Sequence, residues 1–469
     1  MPIQLTFASS SGSSFLPVAV ELIGRFCGLQ LVPSRTGDRS QPVDVYHGPD
    51  VGRPCRLRIP CVEAYDEPGV PALPEWSASK PGGPGTPFPF DLFSAIRFWL
   101  ADEGNAKAEP GRDLDKRDRL LGDRSAQSRK GCREIPIVNA YLLLLTRWVE
   151  DRFGVRLPGP LPPGKRCAVI LSHDADDPLD PTPRKFLWLA ARNLPYHPLR
   201  AARCLSWWMI SAAKRLRGEN RDRHWLFEDI MKAEDHWGFR STFFFSVVPA
   251  FARGASRLDV LYDVHQKQFA PMFRRLSAEG WEIGLHASYH ARRSYRRIAD
   301  QKRTLEQAAG VPVLGNRHHC WHMGWPFWAT LQDHGRAGLQ YDSSVAFNET
   351  TGYRLGIALP CHLWNPVSEE RIPTLQIPCA VMDGAYFYRP NQTVEATLKH
   401  FDGLLQGLKR CLGSAAICWH VRTSYPASRR FELWGRAYLE ILRLLASDPE
   451  VLVQSCGQAA GGFSAAQEG

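Results

Sequence analysis

No stretch of this 469-residue chain approaches the roughly 18 consecutive uncharged apolar residues that a membrane-spanning helix requires. Its opening, Met1-Pro2-Ile3-Gln4, has no basic n-region, and Glu21 and Arg25 interrupt the apolar segment that follows, so a secretory signal is not expected. The 12 cysteines include no C-x-x-C pair; Cys55 and Cys61 are among the closest, while Cys167, Cys379 and Cys418 sit inside apolar, strand-like runs. That usage suits buried thiols in a reducing compartment and points to a cytoplasmic protein. Also missing are a nucleophile elbow, a dinucleotide-binding glycine fingerprint and an internal repeat. Gly159 to Arg166 mimics the spacing of a phosphate-binding loop, but three prolines remove amide donors, and Arg166 stands where a magnesium-binding Ser or Thr is needed.

What the chain does have is the composition of a soluble globular enzyme, 44% hydrophobic and 11% aromatic, with length for two or three domains. Its net charge of +10 is concentrated. Between Arg184 and Arg217 there are eight basic residues and no acid, interleaved with Phe186, Trp188, Tyr196, Trp207 and Trp208. Mixed basic and aromatic residues suit contact with an anionic membrane surface. A helical hairpin with buried aromatics is the plainer alternative. No nucleic-acid-binding motif accompanies the charge, so no nucleic-acid partner is expected.

Three regions follow from the pattern. Residues 1–160 read as a smaller α+β domain of unknown role, with a Pro/Gly-rich connector at 76–87, helical spacing over 90–100 with Asp91 as its cap, and an amphipathic helix over 135–153. Residues 166–456 alternate strands (167–172, 241–248, 281–285, 312–314, 374–378, 415–419) with helices (225–237, 264–279, 296–308, 326–335, 393–411, 431–447), interrupted by the basic aromatic insertion at 184–222. Such alternation predicts an α/β domain with a parallel sheet or barrel, whose functional side chains gather at the carboxyl ends of strands. Residues 457–469 read as a flexible tail.

Two clusters occupy such ends. Asp174 and Asp176 follow the run Cys167–Ser172, and His286 and His290 follow Trp281–Leu285. Carboxylate with imidazole is a ligand set for a divalent cation such as zinc, and a spare carboxylate beside it is the base that hydrolysis needs. The i,i+4 spacing of the histidines brings both rings to one face if the segment is a helical turn. His420, after Ala415–Trp419, can protonate a leaving amine, and Arg317, after another short strand, can pair with Asp174. The run of His318, His319 and His322 also suggests a metal site, but a substrate wall or an outer layer around the ligands is the preferred reading.

Residues 167–425 resemble the polysaccharide deacetylases of NodB-homology type, carbohydrate esterase family 4, in the variant whose first motif is S/T-H-D-x-D. The matching segments are Ser172-His173-Asp174-Ala175-Asp176-Asp177, Gly284-Leu285-His286-Ala287-Ser288-Tyr289-His290, Gly315-Asn316-Arg317-His318-His319, Tyr341-Asp342-Ser343-Ser344, Gly352-Tyr353-Arg354-Leu355-Gly356, Ile377 to Asp383, and Trp419-His420. The part containing Pro87 to Phe93 is similar to an uncharacterised N-terminal domain attached to this variant. The resemblance implies a distorted (β/α)7 barrel, a divalent metal, most often zinc, and removal of N-acetyl groups from an amino sugar. Carried over, Asp176, His286 and His290 hold the metal, Asp174 is the base, His420 the acid, and Arg317 tethers Asp174. Tyr289, His319, Arg354 and Asp383 are placed as substrate contacts. Ala175 separates aspartates that are adjacent in the usual motif, which makes Asp177 a third carboxylate candidate.

The expected protein is thus a cytoplasmic hydrolase of carbohydrate amides in surface-polysaccharide assembly, peripheral at an anionic inner-membrane surface through 184–217. The alternatives are a catalytically silent glycan-binding scaffold and a hydrolase of a non-sugar amide.

Overall fold

The short apolar runs near the N-terminus pair as parallel strands: β1 (Ile3–Ser9), β2 (Leu29–Pro33), β3 (Val43–His47) and β4 (Cys55–Ile59), in the order β2-β1-β3-β4. The computed structural model describes residues 3–34, 41–49, 54–62, 65–67, 69–71, 86–179, 183–216, 224–249, 256, 258–388 and 390–468. Most of the Pro/Gly connector and the end of the basic insertion, 217–222, lie outside the described residues. The helix Leu92–Leu100 is capped as its sequence predicts, Asp91 Oδ1 accepting from the Ser94 amide at 3.1 Å. The amphipathic segment after Ile135 is the helix Ile137–Phe153.

The second sheet contains β5 (Cys167–Asp174), β6 (Thr242–Phe245), β7 (Glu282–Leu285), β8 (Gly315–Asn316), β9 (Tyr341–Asp342), β10 (Cys361–Asn365), β11 (Glu370–Gln376), β12 (Cys379–Met382), β13 (Ser414–Cys418) and β14 (Val451–Gln454). Its order is β10-β11-β9-β8-β7-β6-β5-β13-β12, with β14 also pairing β5; every pairing is parallel except β10 with β11. All eight positions of β5 are buried, which is why it reads as a continuous apolar run rather than an alternation. Helices cover the outside of this curled α/β sheet, among them Phe227–Asp235, Phe269–Ala278, Tyr295–Ala309, Val394–Arg410 and Glu432–Ser447. Phe227, Phe243, Phe245, Phe269 and Phe273 pack in one buried cluster, each ring contributing about 1.5–3 kcal/mol by leaving water.

Two features differ from the sequence expectation, and a third combines its two readings of the basic insertion. First, the core of the N-terminal part is not its own: Met323, Phe327, Trp328, Leu355, Leu363, Trp364 and Ile372 join residues 5–149 in one apolar cluster. Packing therefore ties the two parts together. Second, the stretch after Gly457 is helical, within Cys456–Glu468, because Cys456 and Ala459 are buried against the sheet and the Ser455 hydroxyl accepts from the Gln458 amide. Third, the basic insertion forms two antiparallel helices, Pro183–Asn193 and Pro198–Leu216, but keeps much apolar surface in water: Leu199 is 83% exposed, Tyr196 75% and Met209 57%. Among the described residues no helix is long and apolar enough to cross a membrane. All twelve cysteines are unpaired.

Candidate active site

Parallel strands deliver the site residues to one edge of the sheet. Asp174 closes β5, and Asp176 lies two residues beyond it. His286 directly follows β7, Arg317 follows β8, Asp383 follows β12, and His420 comes two residues after β13. Chain segments far apart in sequence thereby converge at the carboxyl ends of their strands, where side chains escape the close packing of the core.

Asp176, His286 and His319 present ligand atoms that all lie within 4.8 Å of one another. Asp176 Oδ1 is 3.4 Å from His286 Nε2 and 3.7 Å from His319 Nδ1, and the two nitrogens are 3.1 Å apart. Ligands bound to zinc at about 2.0–2.2 Å in tetrahedral geometry stand about 3.4 Å from each other, so this triangle fits such an ion. Asp176 Oδ1 is buried and, among the described residues, accepts no hydrogen bond. The outer ring nitrogens are committed: His286 Nδ1–H donates to the Arg317 carbonyl and His319 Nε2–H to the Leu258 carbonyl, both at 2.8 Å. That fixes both rings with their lone pairs turned inward, the arrangement a metal requires. The residues present fit a divalent cation.

Backbone strain marks the same places. Asp177, next to Asp176, has φ of 47°, and Cys320 and Trp321, next to His319, have φ of 58° and 51°. Left-handed backbone at non-glycine residues costs about 1–3 kcal/mol each and persists where surrounding packing enforces it.

Arg317 is fully buried and donates from Nη1 to Asp174 Oδ1 at 3.0 Å, while Nη2 and Nε hold Ser343 Oγ and the Ser343 carbonyl. Its guanidinium lies over the Phe244 ring, 4.5 Å from the centroid. A methyl group at Gly284 would stand 2.5 Å from that ring, so the glycine before Leu285 and His286 makes room for the platform that aims Arg317. Burial pushes the Asp174 carboxyl up, but the charges of Arg317, His286 and His420 together outweigh it and hold the group below the usual carboxylate range.

His420 faces the cluster from β13. Its Nδ1–H donates to Asp383 Oδ1 at 2.9 Å, and Nε2 lies 3.4 Å from Asp176 Oδ2. Burial disfavours the imidazolium, yet the Asp383 carboxylate raises its pKa well above the histidine norm. Asp176 is likewise held well below the carboxylate norm against burial, first by Arg422.

Several expected roles change. His290 is outside the triad: residues 286–288 are irregular and 289–290 a turn, so the helical face that i,i+4 spacing presumed does not exist. Its ring instead neighbours Tyr289 and His322, at 5.0 and 6.5 Å between centroids. His319, expected to touch substrate, occupies the third corner. Asp383 is fully buried and spends its oxygens on His420, Thr423 Oγ1 and the Gly384 amide, so it positions the histidine rather than substrate. Arg354 donates to both oxygens of Asp102 at 2.6 and 2.7 Å, with both side chains 5% exposed, and so fastens the N-terminal part to the sheet. Arg354→Leu is expected to cost about 3–5 kcal/mol of folding free energy by stranding a buried carboxylate. Equilibrium urea unfolding reads this, and an unchanged midpoint contradicts the role.

Two participants went unread in the sequence. Arg422 Nη1 sits 3.0 Å from Asp176 Oδ2, and no spacing rule singles out an arginine two positions after a histidine. Glu234, also fully buried, meets His173 Nε2 at 2.8 Å and accepts from Tyr438, Ser241 and Trp281; His173 Nδ1–H donates to the Trp419 carbonyl. The histidine of the first motif thus locks β5 to the strand end that carries His420. A second triad, His47, Cys61 and Asp91, is accounted for by structure: Asp91 caps a helix and holds the Val62 amide, and His47 Nδ1 is 2.9 Å from Ser9 Oγ.

No protein-family model matches the chain, and no curated protein matches it. Solved structures do resemble it. A protein described as a polysaccharide deacetylase from Mycobacterium smegmatis aligns with 17% identity over 66% of this chain and 93% of its own, at a TM-score of 0.43. Another so described, from Pseudomonas aeruginosa PAO1, aligns with 15% identity over 67% and 96%, at 0.42. The allantoinase Puue aligns with 16% identity over 65% and 92%, at 0.41.

Proposed function

We propose that the chain is a zinc-dependent hydrolase that removes N-acetyl groups from an amino sugar in a polysaccharide or its lipid-linked precursor. One observation carries this reading: a carboxylate with two imidazoles, an arginine-tethered carboxylate and an aspartate-backed histidine meet at one sheet edge. The motif order along the sequence favours the acetamido substrate. Asp176, His286 and His319 would hold the cation, which would supply Lewis acidity toward the acetyl carbonyl.

The protein's own groups do the rest. Asp174, ionised and engaged by Arg317 at Oδ1, takes the proton of the attacking water at Oδ2. Arg422 holds Oδ2 of Asp176, which leaves Oδ1 facing the imidazoles. His420, its Nδ1–H committed to Asp383, carries its mobile proton at Nε2 and delivers it to the departing amine. Elemental analysis of purified protein together with acetate release from N-acetylated oligosaccharides tests the reading. Bound metal without acetate release from any amide would reassign the chain as a glycan-binding scaffold.

The exposed apolar residues of the helical hairpin support peripheral contact with an anionic membrane. Leu194, Tyr196, Leu199 and Met209 stand in water beside Arg192, Arg200 and Arg203, the mixture that settles at a lipid headgroup boundary. Co-sedimentation with phosphatidylglycerol vesicles is expected to fall about tenfold or more in Tyr196→Asp/Leu199→Asp and to weaken with salt. Binding indifferent to both contradicts the contact.

A further inference from the structure

Beside the helical hairpin lies a cleft of about 610 Å³ whose lining, among the described residues, includes Lys116, Arg117, Arg200 and Arg203 and no carboxylate. The cations come from two separate parts of the chain, a loop of the N-terminal part and the helix Pro198–Leu216, where i,i+3 spacing places Arg200 and Arg203 on one face. Nearby acids are engaged elsewhere: Asp115 pairs with Arg119 at 2.5 Å, and Asp118 faces Arg292 at 3.6 Å. Four like charges gathered into one concavity repel one another, an arrangement that an anionic ligand relieves.

The cleft adjoins the catalytic cluster. Leu258 lines it, and its carbonyl is the acceptor that orients His319. Tyr289, between His286 and His290 in sequence, lines it too. Arg117 Nη1 lies 3.2 Å from the sulfur of Cys320, the residue after His319. Trp207, on the same helix as Arg200 and Arg203, also lines the cleft and is about half exposed (51%), a flat apolar surface suited to one face of a pyranose ring.

We infer that this cleft is a subsite for the phosphoryl group of a phosphorylated amino sugar, bound so that its N-acetyl group reaches the neighbouring triad. The inference rests on the hydrolase reading and narrows its substrate to sugars bearing a phosphate or diphosphate. Guanidinium groups match phosphate oxygens in pairs, whereas a neutral glycan brings no counter-charge to the four cations. The same oxyanion chemistry occurs on anionic lipid headgroups, so the test separates the two sources.

Calorimetry with inorganic diphosphate is to be run on the full chain and on Arg200→Gln/Arg203→Gln. Both arginines are exposed on a helix surface, and a thermal melt checks that the variant is folded. The variant is expected to bind diphosphate about tenfold or more weakly. In the wild type, kcat/KM for acetate release is expected to favour N-acetylglucosamine 1-phosphate over its neutral methyl glycoside, with that ratio collapsing toward one in the variant. Equal diphosphate affinity in both proteins, or a wild-type ratio of one, overturns the subsite. Arginine-dependent binding to phosphatidylglycerol vesicles without diphosphate binding also overturns it, in favour of a headgroup contact. Arginine-dependent diphosphate binding with no acetate released from either sugar leaves the anion site standing and removes the hydrolase reading instead.

Discussion

Asp174→Asn is expected to lose about two to four orders of magnitude in kcat while keeping the metal content of the wild type. Its Oδ1 receives the Arg317 hydrogen bond and is not a corner of the Asp176, His286 and His319 triangle. An amide at 174 keeps a carbonyl oxygen for Arg317 and nearly the same volume, so the strand end should hold its shape. What disappears is the capacity to take a proton. Asp176→Asn is the informative partner: it changes the oxygen at 3.4 Å from His286 Nε2, and metal content is expected to fall with turnover. Inductively coupled plasma analysis of both variants beside acetate-release kinetics separates base from ligand. Equal loss of metal in the two proteins would show that the roles of Asp174 and Asp176 are not divided in this way, which Ala175 between them makes the question to ask.

Arg317→Lys asks a related question by a gentler route. Lysine keeps the charge but lacks the planar fork that reaches Asp174 and both Ser343 acceptors at once, so the carboxylate loses its fixed rotamer rather than its counter-ion.

Much of the α/β sheet was legible because parallel strands buried on both faces must be continuous apolar runs. β5, β7 and β13 lie within one or two residues of where their hydrophobicity places them. Strands β8 and β9 are two residues each and carry almost no local signal; β8 falls at 315–316, just past the apolar segment 312–314. The N-terminal part was harder, since its core is completed by side chains between Met323 and Ile372 that no local pattern connects to it. The hairpin's two readings, buried aromatics or membrane contact, were not separable from sequence, because burial there depends on what the helices lean against. Trp188 is buried while Tyr196 and Leu199 are not.

At the site, residues placed by strands were readable and the residue placed by a loop was not. Asp174, Asp176, His286, Arg317 and His420 each sit within two residues of a strand end, and hydrophobic runs reveal strand ends. His319 is selected over His318 and His322 by events the sequence hides. The backbone turns left-handed at Cys320 and Trp321, and the Leu258 carbonyl, some sixty residues away, takes the Nε2 proton. His318 is fully buried instead, its ring stacked on His334 at 5.2 Å and its pKa pushed well below the histidine norm, first by burial and then by the neighbouring histidines. His322 stacks on Tyr289 at 3.8 Å and donates to the Tyr289 carbonyl.

The decisive substitution pair is therefore His319→Ala against His290→Ala. With Asp176, His286 and His319 as the ligand set, His319→Ala removes one of three donors, and zinc affinity is expected to drop by about two orders of magnitude or more. That is at least what mutation of mere outer-sphere partners can cost. His290→Ala is expected to retain close to one metal per chain, because its ring neighbours Tyr289 and His322 rather than Asp176. Competition titration against a zinc chelator reads both variants directly and does not depend on knowing the substrate. A folded His319→Ala protein that binds zinc like the wild type, beside a His290→Ala protein that does not, would restore the ligand set that the i,i+4 spacing suggested. It would also mean that residues 286–290 close into a turn around the cation, carrying His290 toward Asp176 and releasing His319 to the cleft wall, where Leu258 already holds its other nitrogen.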